Sequence, residues 1–217
     1  MGSATKDKAL ITLAGKPLWL YALEAFIQSP VIDTLWVVCQ SEEQQQKLAA
    51  TLVSPLKKEL NWTLGGPERQ DSVASALRTL PADVQYVFVH DCARPLIQSA
   101  VLDTLYTMVL EHKAVALAHP IVDTIKTAQA VPGHQERYQL DDLDRNRLWA
   151  METPQVFDRK LICQAYETVC TDGIRVTDDA GAMSYCGHPV ALYPNPEPNP
   201  KLTSPRDLLL LEAALAC

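Results

Sequence analysis

The residues best equipped for chemistry stand together at 87–95, reading V-F-V-H-D-C-A-R-P. Tyr86–Val89 is a short apolar run of β-branched and aromatic residues, the pattern of a buried strand. It stops at His90-Asp91, and Arg94-Pro95 follows. In an open α/β sheet, ligands collect beyond the carboxyl ends of the strands, so a carboxylate there is well sited. Two readings stand. Asp91 can hold a divalent cation on a polyphosphate, because hard cations favour carboxylate oxygen. Or Asp91 closes a turn and pairs with Arg94, while Pro95 stops the strand. The nonapeptide alone does not separate them.

A second constellation lies upstream. Trp62–Leu64 reads as a short strand running into Gly65-Gly66 and then P-E-R-Q-D-S-V, residues 67–73. Asp71 or Ser72 can cap a helix whose apolar stripe is Val73, Ala76, Leu77 and Leu80. Strand, Gly-Gly turn and helix start in succession make an anion site, where bare amides, the positive dipole end and Arg69 converge. The plainer alternative is a turn followed by a capped helix.

The elements that must position these groups follow from periodicity. Lys16-Pro17 reads as a helix start, with Leu18, Tyr21, Ala22, Ala25 and Phe26 on one face. Leu35–Cys39 reads as a buried strand, and Ser41 with Gln44 as a capping box for a helix over Glu42–Leu52. A helix is expected over Val101–His112 and a buried strand over Ala114–Ala118, closed by Pro120. This alternation implies α/β architecture, a mainly parallel sheet with helices on both faces. Residues 121–147 differ: two short alternating segments flank Pro132-Gly133, with Lys126, Arg145 and Arg147 near the ends. A hairpin that cannot bury itself packs on something, most often a second copy of the chain; the plainer reading is a surface hairpin on a monomer. Leu148–Phe157 returns to the core, and Asp158 caps a helix through Leu161, Ala165, Tyr166 and Val169. Residues 176–179 start a short helix ending at Gly187, Val190–Tyr193 is a strand, and Ser204-Pro205-Arg206-Asp207 opens a last helix over Leu208–Ala216.

Bulk properties narrow the function classes. The 217 residues, 47% hydrophobic and 21% charged, fit one globular domain spanning 1–217, with 121–147 as a projecting arm. A net charge of −7 argues against a nucleic-acid groove or an anionic membrane surface. No apolar run approaches the ~20 residues of a membrane span. The six cysteines have no paired metal spacing and read as reduced thiols of a cytoplasmic protein.

Seven segments, taken in order, carry a resemblance: G-G-P-E-R-Q-D-S-V (65–73), V-H-D-C-A-R-P (89–95), D-T-I-K (123–126), L-D-R (143–145), T-P-Q-V-F (153–157), T-D-D-A (177–180) and K-L-T-S-P-R-D-L (201–208). With these the chain resembles the 2-C-methyl-D-erythritol 4-phosphate cytidylyltransferase family over most of its length. The resemblance implies a Rossmann-like nucleotidyltransferase sheet, a magnesium-dependent reaction with CTP and a polyol phosphate, and a homodimer with interlocking arms. It implies roles as well. Lys8 resembles a lysine that stabilises the transition state, and Arg145 and Lys201 the pair that aims the attacking phosphate. Gly65, Gly66, Arg69 and Ser72 resemble the cytidine-binding turn. Asp91 would hold magnesium or sugar hydroxyls. Arg94, Thr124, Thr153 and Thr177 would line the substrate pocket, part of it from the neighbouring subunit.

The departures matter too. Members of the family open with a hydrophobic strand and a glycine-rich loop ending in arginine, whereas upstream of Lys8 this chain has M-G-S-A-T-K-D. The expectation is that Met1 is an internal methionine and that the native protein begins roughly 15–25 residues earlier, one strand plus a loop. Lacking one phosphate cradle and one cation, the chain is expected to turn over weakly. Lys8 sits in D-K-A-L where the family more often has P-K-Q-Y, Pro198-Asn199-Pro200 precedes Lys201 in place of N-I-K, and Glu152 precedes Thr153 where glutamine is common. A cytidylyltransferase for another polyol phosphate such as ribitol 5-phosphate shares the H-D-x-x-R-P element. A truncated, non-catalytic dimeric relative is the reading from a different class.

Overall fold

The computed structural model describes residues 7–52, 55–134 and 136–215. A single 3-10 turn, Lys8–Leu10, is capped by Asp7, whose carboxylate accepts from the Ala9 amide at 3.1 Å. Strands β1 (Thr12–Leu13) and β2 (Lys16–Pro17) form a miniature hairpin around Ala14 and Gly15. Both turn residues have positive φ, 46° and 81°, as two-residue hairpin turns require. Helix α1 (Leu18–Gln28) therefore starts after Lys16-Pro17 instead of on it: strand pairing holds Pro17 extended at the cap position.

The expected alternation then appears: β3 (Thr34–Cys39), α2 (Glu42–Ala49), β4 (Glu59–Leu64), α3 (Arg69–Thr79), β5 (Tyr86–Val89), α4 (Ser99–His112) and β6 (Ala114–Pro120). Ser41 caps α2, accepting from the Gln44 amide at 3.2 Å. That helix stops at Ala49, short of Leu52. β4 is longer than its apolar core suggested, because pairing with β3 (Thr34 opposite Glu59) draws polar Glu59 and Asn61 into the ladder. β6 runs through Pro120 instead of ending before it; beyond a bulge between Ala116 and Ala118 it pairs on to Trp149.

Strands β7 (Lys126–Ala130) and β8 (Tyr138–Asp142) form the expected hairpin, with every residue exposed. Gly133 takes φ +77° at its turn, where a side chain would be strained. β9 (Trp149–Asp158) leads into α5 (Arg159–Thr171), capped by Asp158 as expected. α6 (Asp179–Tyr185), β10 (Ala191–Pro194) and α7 (Pro205–Leu215) complete the chain.

The central sheet has the order β10-β6-β9-β5. β10 is parallel to β6, and β9 is antiparallel to both β6 and β5, so β5, β6 and β10 point one way. Three of the four strands thus run in one direction, as expected of a mainly parallel sheet, and β9 alone makes it mixed. The reason is connectivity: β9 returns from the β7–β8 hairpin and enters between β5 and β6 from the opposite end. β3 and β4 form a separate parallel pair. One helix links the two layers: α1 packs Phe26 with Leu102 and Val115 near Phe88, and packs Trp19 and Leu23 with Cys39 and Leu48. On another face α3 sets Ala74 and Leu77 against Val87, Val89 and Phe157.

Phe157, fully buried in β9 between Val87 and Ala114, tests this layering. Phe157→Ala should cost about 3–5 kcal/mol in a urea unfolding titration; a loss within experimental error would place the core elsewhere.

Candidate active site

β5 ends at Val89, so His90 and Asp91 emerge at its carboxyl end. The antiparallel register with β9, Val89 opposite Gln155, brings Thr153 alongside. The Asp91 amide donates to Thr153 Oγ at 3.0 Å, and that hydroxyl lies 3.1 Å from His90 Nδ1. His90 Nε2 lies 3.0 Å from the Arg94 carbonyl, which can only accept, so Nε2 carries the proton and Nδ1 accepts from Thr153. Burial pushes His90 down to about 4, so the ring is neutral. His90 is a hinge pin for the turn, not a proton carrier at neutral pH.

The carboxylate of Asp91 is held from two sides. Arg69 Nε reaches Oδ1 at 3.2 Å and Lys201 Nζ reaches Oδ2 at 2.6 Å. Burial works against the charge on Asp91, but the hydrogen bond from Lys201 and the charges of Lys201 and Arg69 prevail, and its pKa falls below the usual value. Behind Arg69 stands Asp179, fully buried, which takes both terminal nitrogens of the guanidinium at 3.1 and 2.6 Å. Tyr166 donates its hydroxyl to the same carboxylate. Burial alone would lower the Arg69 pKa; the bidentate bond and the charge of Asp179 raise it instead. The result is a row of alternating charge, Asp179, Arg69, Asp91 and Lys201, running from the core to the surface.

Lys8 joins the edge of this row. Its Nζ donates to the Thr203 carbonyl at 3.3 Å, two residues beyond Lys201. The Gly-Gly turn leads directly into Arg69 and is tightly built. A Cβ on Gly65 would come within 2.5 Å of Ser72 Oγ, and one on Gly66 within 2.4 Å of Asp71 Cβ. The Gly66 amide is already engaged, donating to Ser72 Oγ at 3.2 Å. Neither Asp71 nor Ser72 occupies the cap position of α3. Glu68 does, and Asp71 accepts from its amide at 3.3 Å as the third helical residue.

The remaining expected residues are placed otherwise. Asp91 does close a turn, its carbonyl accepting from the Arg94 amide at 2.9 Å, but the Arg94 side chain does not pair with its carboxylate; the guanidinium turns inward and donates to the carbonyls of Asn199 (2.7 Å) and Met151 (3.2 Å), bracing two segments of the site. Its Nε is buried without a partner among the described residues. Thr177 is exposed ahead of Asp178, which caps α6 through the Gly181 amide at 2.9 Å. Thr124 and Arg145 lie at the base of the β7–β8 arm. Arg145 donates to the Val122 carbonyl at 2.9 Å and borders an open cavity of about 550 Å³ with Ile121, Val122 and Trp149.

Sequence reasoning misses Asp179, Tyr166 and Gln155. Gln155 spans β9 and α6, donating to Asp178 at 2.9 Å and accepting from the Ala180 amide at 2.8 Å. A signal for two of them is present: T-P-Q-V-F and T-D-D-A contain Gln155 and Asp179, but residue type there points first to the threonines. Tyr166 carries no such signal, since it reads as part of an apolar helix stripe.

A sequence profile for 2-C-methyl-D-erythritol 4-phosphate cytidylyltransferases matches residues 2–216. The chain belongs to the 2-C-methyl-D-erythritol 4-phosphate cytidylyltransferase family. The family member of Gloeobacter violaceus is 35% identical over 213 residues, 98% of this chain and 89% of that protein. The rice chloroplastic member is 34% identical over 209 residues, 96% of this chain and 68% of that protein. Among solved structures, the Thermus thermophilus member superposes with a TM-score of 0.78 at 26% identity, covering 97% of this chain and 94% of that one. The Anaerococcus prevotii protein has a TM-score of 0.84 at 22% identity, covering 95% and 89%, and speaks for the Rossmann-like fold alone.

His90 supplies a pH test. Its folded pKa is depressed, so its contribution is complete above the unfolded value of 6.5 and is lost as pH falls toward about 4, where an unfolded chain takes up a proton that the folded chain refuses. The loss should reach on the order of 3 kcal/mol. His90→Gln should therefore be less stable than the parent at pH 7 and close much of that gap by pH 4.5 in paired unfolding curves. Parallel curves would refute the neutral ring.

Proposed function

We propose that this chain transfers CMP from CTP to 2-C-methyl-D-erythritol 4-phosphate and releases pyrophosphate. The observation that carries the reading is the Asp91 carboxylate gripped by Arg69 and Lys201 at the end of β5, with Lys8 beside the same segment. An oxygen of the acceptor's phosphate bonds to the α-phosphorus of CTP while the bond to the β-phosphate oxygen breaks. Negative charge grows on the phosphoryl oxygens, and positioned cations lower its energy. Lys8 and Lys201 are the cations for those oxygens, Arg145 aims the acceptor phosphate from the arm, and the Gly65-Gly66 turn with Ser72 receives the nucleoside. Arg69 acts chiefly through Asp91, because Asp179 already holds its terminal nitrogens.

Asp91 is also the carboxylate suited to a magnesium ion. The described residues hold no cluster of three or more metal-binding side chains. An ion carried on a triphosphate needs one or two carboxylates besides phosphate oxygens and water. When bound, the ion would neutralise phosphate charge; the residues' own part is to orient it through Asp91. Arg94 and Thr153 support the substrate pocket by fixing its walls, while Thr124 and Thr177 remain exposed candidates for direct contact.

The arm at 121–147 is the proposed contact with a second copy, the whole chain serving as one cytidylyltransferase unit. Val122 (79% exposed), Leu140 (59%) and Tyr138 (58%) make an apolar surface on a hairpin with no core of its own, an unfavourable feature unless covered. No helix among the described residues is long and apolar enough to cross a membrane. The setting proposed is the cytoplasm, whose reducing conditions suit the five described cysteines, all free; Cys217 lies outside the described residues.

Pyrophosphate release from CTP should depend on methylerythritol phosphate and on magnesium, and exceed that with ribitol 5-phosphate. The assay is run on the 217 residues and on a chain carrying the codons that precede Met1. Lys201→Ala should lower kcat/KM for the acceptor on the order of a hundredfold, the scale of one lost transition-state donor. Acceptor-independent release, or none from either chain, would overturn the assignment. Leu140→Glu should separately halve the mass found by sedimentation; an unchanged mass would remove the arm from the interface.

A further inference from the structure

The segment that delivers Lys201 to Asp91 is built in a way that demands an external anchor. From the end of β10 to Lys201 it reads P-N-P-E-P-N-P, residues 194–200, with proline at every second position. Most of its residues therefore have no amide to donate, and the segment cannot continue along the sheet as a strand. Its two asparagines do the anchoring, and both turn to the same acceptor. Asn195 Nδ2 and Asn199 Nδ2 donate to Oε2 of Glu152 at 2.8 and 2.9 Å. The other oxygen of Glu152 meets His119 Nδ1 at 2.6 Å. Glu152 is 4% exposed, and it sits on β9 beside Thr153, whose hydroxyl receives the Asp91 amide.

We propose that Glu152 is a positioning residue: its buried carboxylate gathers Asn195 and Asn199 and so sets Lys201 over Asp91. The connection is short at both ends. Asn199 also donates to the Thr153 carbonyl at 2.9 Å and accepts from Arg94 through its own backbone carbonyl at 2.7 Å. Leu202, just past the lysine, is buried and donates its amide to the Ala93 carbonyl at 2.8 Å. Lys201 is thus fixed on one side through Ala93 and on the other through the two asparagines on Glu152. Without the carboxylate, the segment keeps the Asn195 amide on the Ala118 carbonyl and Asn199 on Thr153 and Arg94, but Asn195 loses the acceptor for its side chain, Asn199 loses one of two, and the register of the lysine loosens. Glutamine can replace the acid here. Its carbonyl oxygen can accept from both asparagines while its amide faces Nδ1 of a neutral His119.

The proposal rests on the functional reading where it concerns catalysis, so the test has two arms that fail separately. In the first, the free enzyme is treated briefly with acetic anhydride, and acetylation of Lys201 is compared by mass spectrometry with that of exposed Lys160. Glu152→Ala and the milder Asn195→Ala should raise Lys201 labelling several-fold, and Glu152→Gln should leave it at the parent level. In the second, kcat/KM for the acceptor should fall on the order of ten- to a hundredfold in Glu152→Ala, as for a group displaced by about an ångström. KM for CTP should hold, and Glu152→Gln should restore the rate. Unchanged Lys201 labelling in folded Glu152→Ala overturns the proposal, and Asn195→Ala decides the matter if the first variant unfolds. Labelling that follows Glu152 in a protein without turnover would instead sink the functional reading and leave the positioning role standing.

Discussion

The site depends on one buried charge. Asp179 has no exposed surface, and a carboxylate there is tolerable only when its partners are in place. Arg69 supplies the countercharge through both terminal nitrogens, and Tyr166 supplies a further donor. Once Arg69 is locked on Asp179, its remaining nitrogen is aimed, and it holds one oxygen of Asp91. The other oxygen of Asp91 is then presented outward, where Lys201 takes it. Each ion is oriented by the one beneath it, from Asp179 with no exposed surface to Lys201 at the solvent-facing end.

This arrangement explains why the fold inserts an antiparallel strand beside β5. β9 brings Glu152, Thr153 and Gln155 against the end of β5 within four positions. Thr153 fixes the Asp91 backbone, Gln155 fixes the start of α6 next to Asp179, and Glu152 faces the proline-rich segment before Lys201. Three distant stretches of chain meet on one strand. Arg94 closes the structure from the other side by holding the carbonyls of Met151 and Asn199.

Much of the scaffold is legible without coordinates. β5 begins and ends where its apolar run does, and the Asp158 cap and the β7–β8 hairpin stand where composition puts them. The differences share a cause. At Pro17, β4 and β6, strand pairing with another segment overrides local preference. Asp71 and Ser72 look like caps from their residue types, yet Glu68 holds the cap position and Ser72 instead closes the Gly65-Gly66 turn. Of the expected site residues, Arg69, Asp91, Thr153 and Lys201 are joined by contacts. Arg94 turns inward, and Arg145 and Thr124 stay with the arm.

Periodicity and locally read motifs suffice for the order of the main elements, the family, and the supply of cations and carboxylates. Which charge meets which is set only when the chain is packed. Arg69 could have paired with Asp71 or Asp91 on chain proximity, but Asp179, 110 positions away, holds its terminal nitrogens. Burial is the physical reason: the energy of an ion pair depends on how much water its partners have lost, and that is a property of the packed molecule, not of residue spacing.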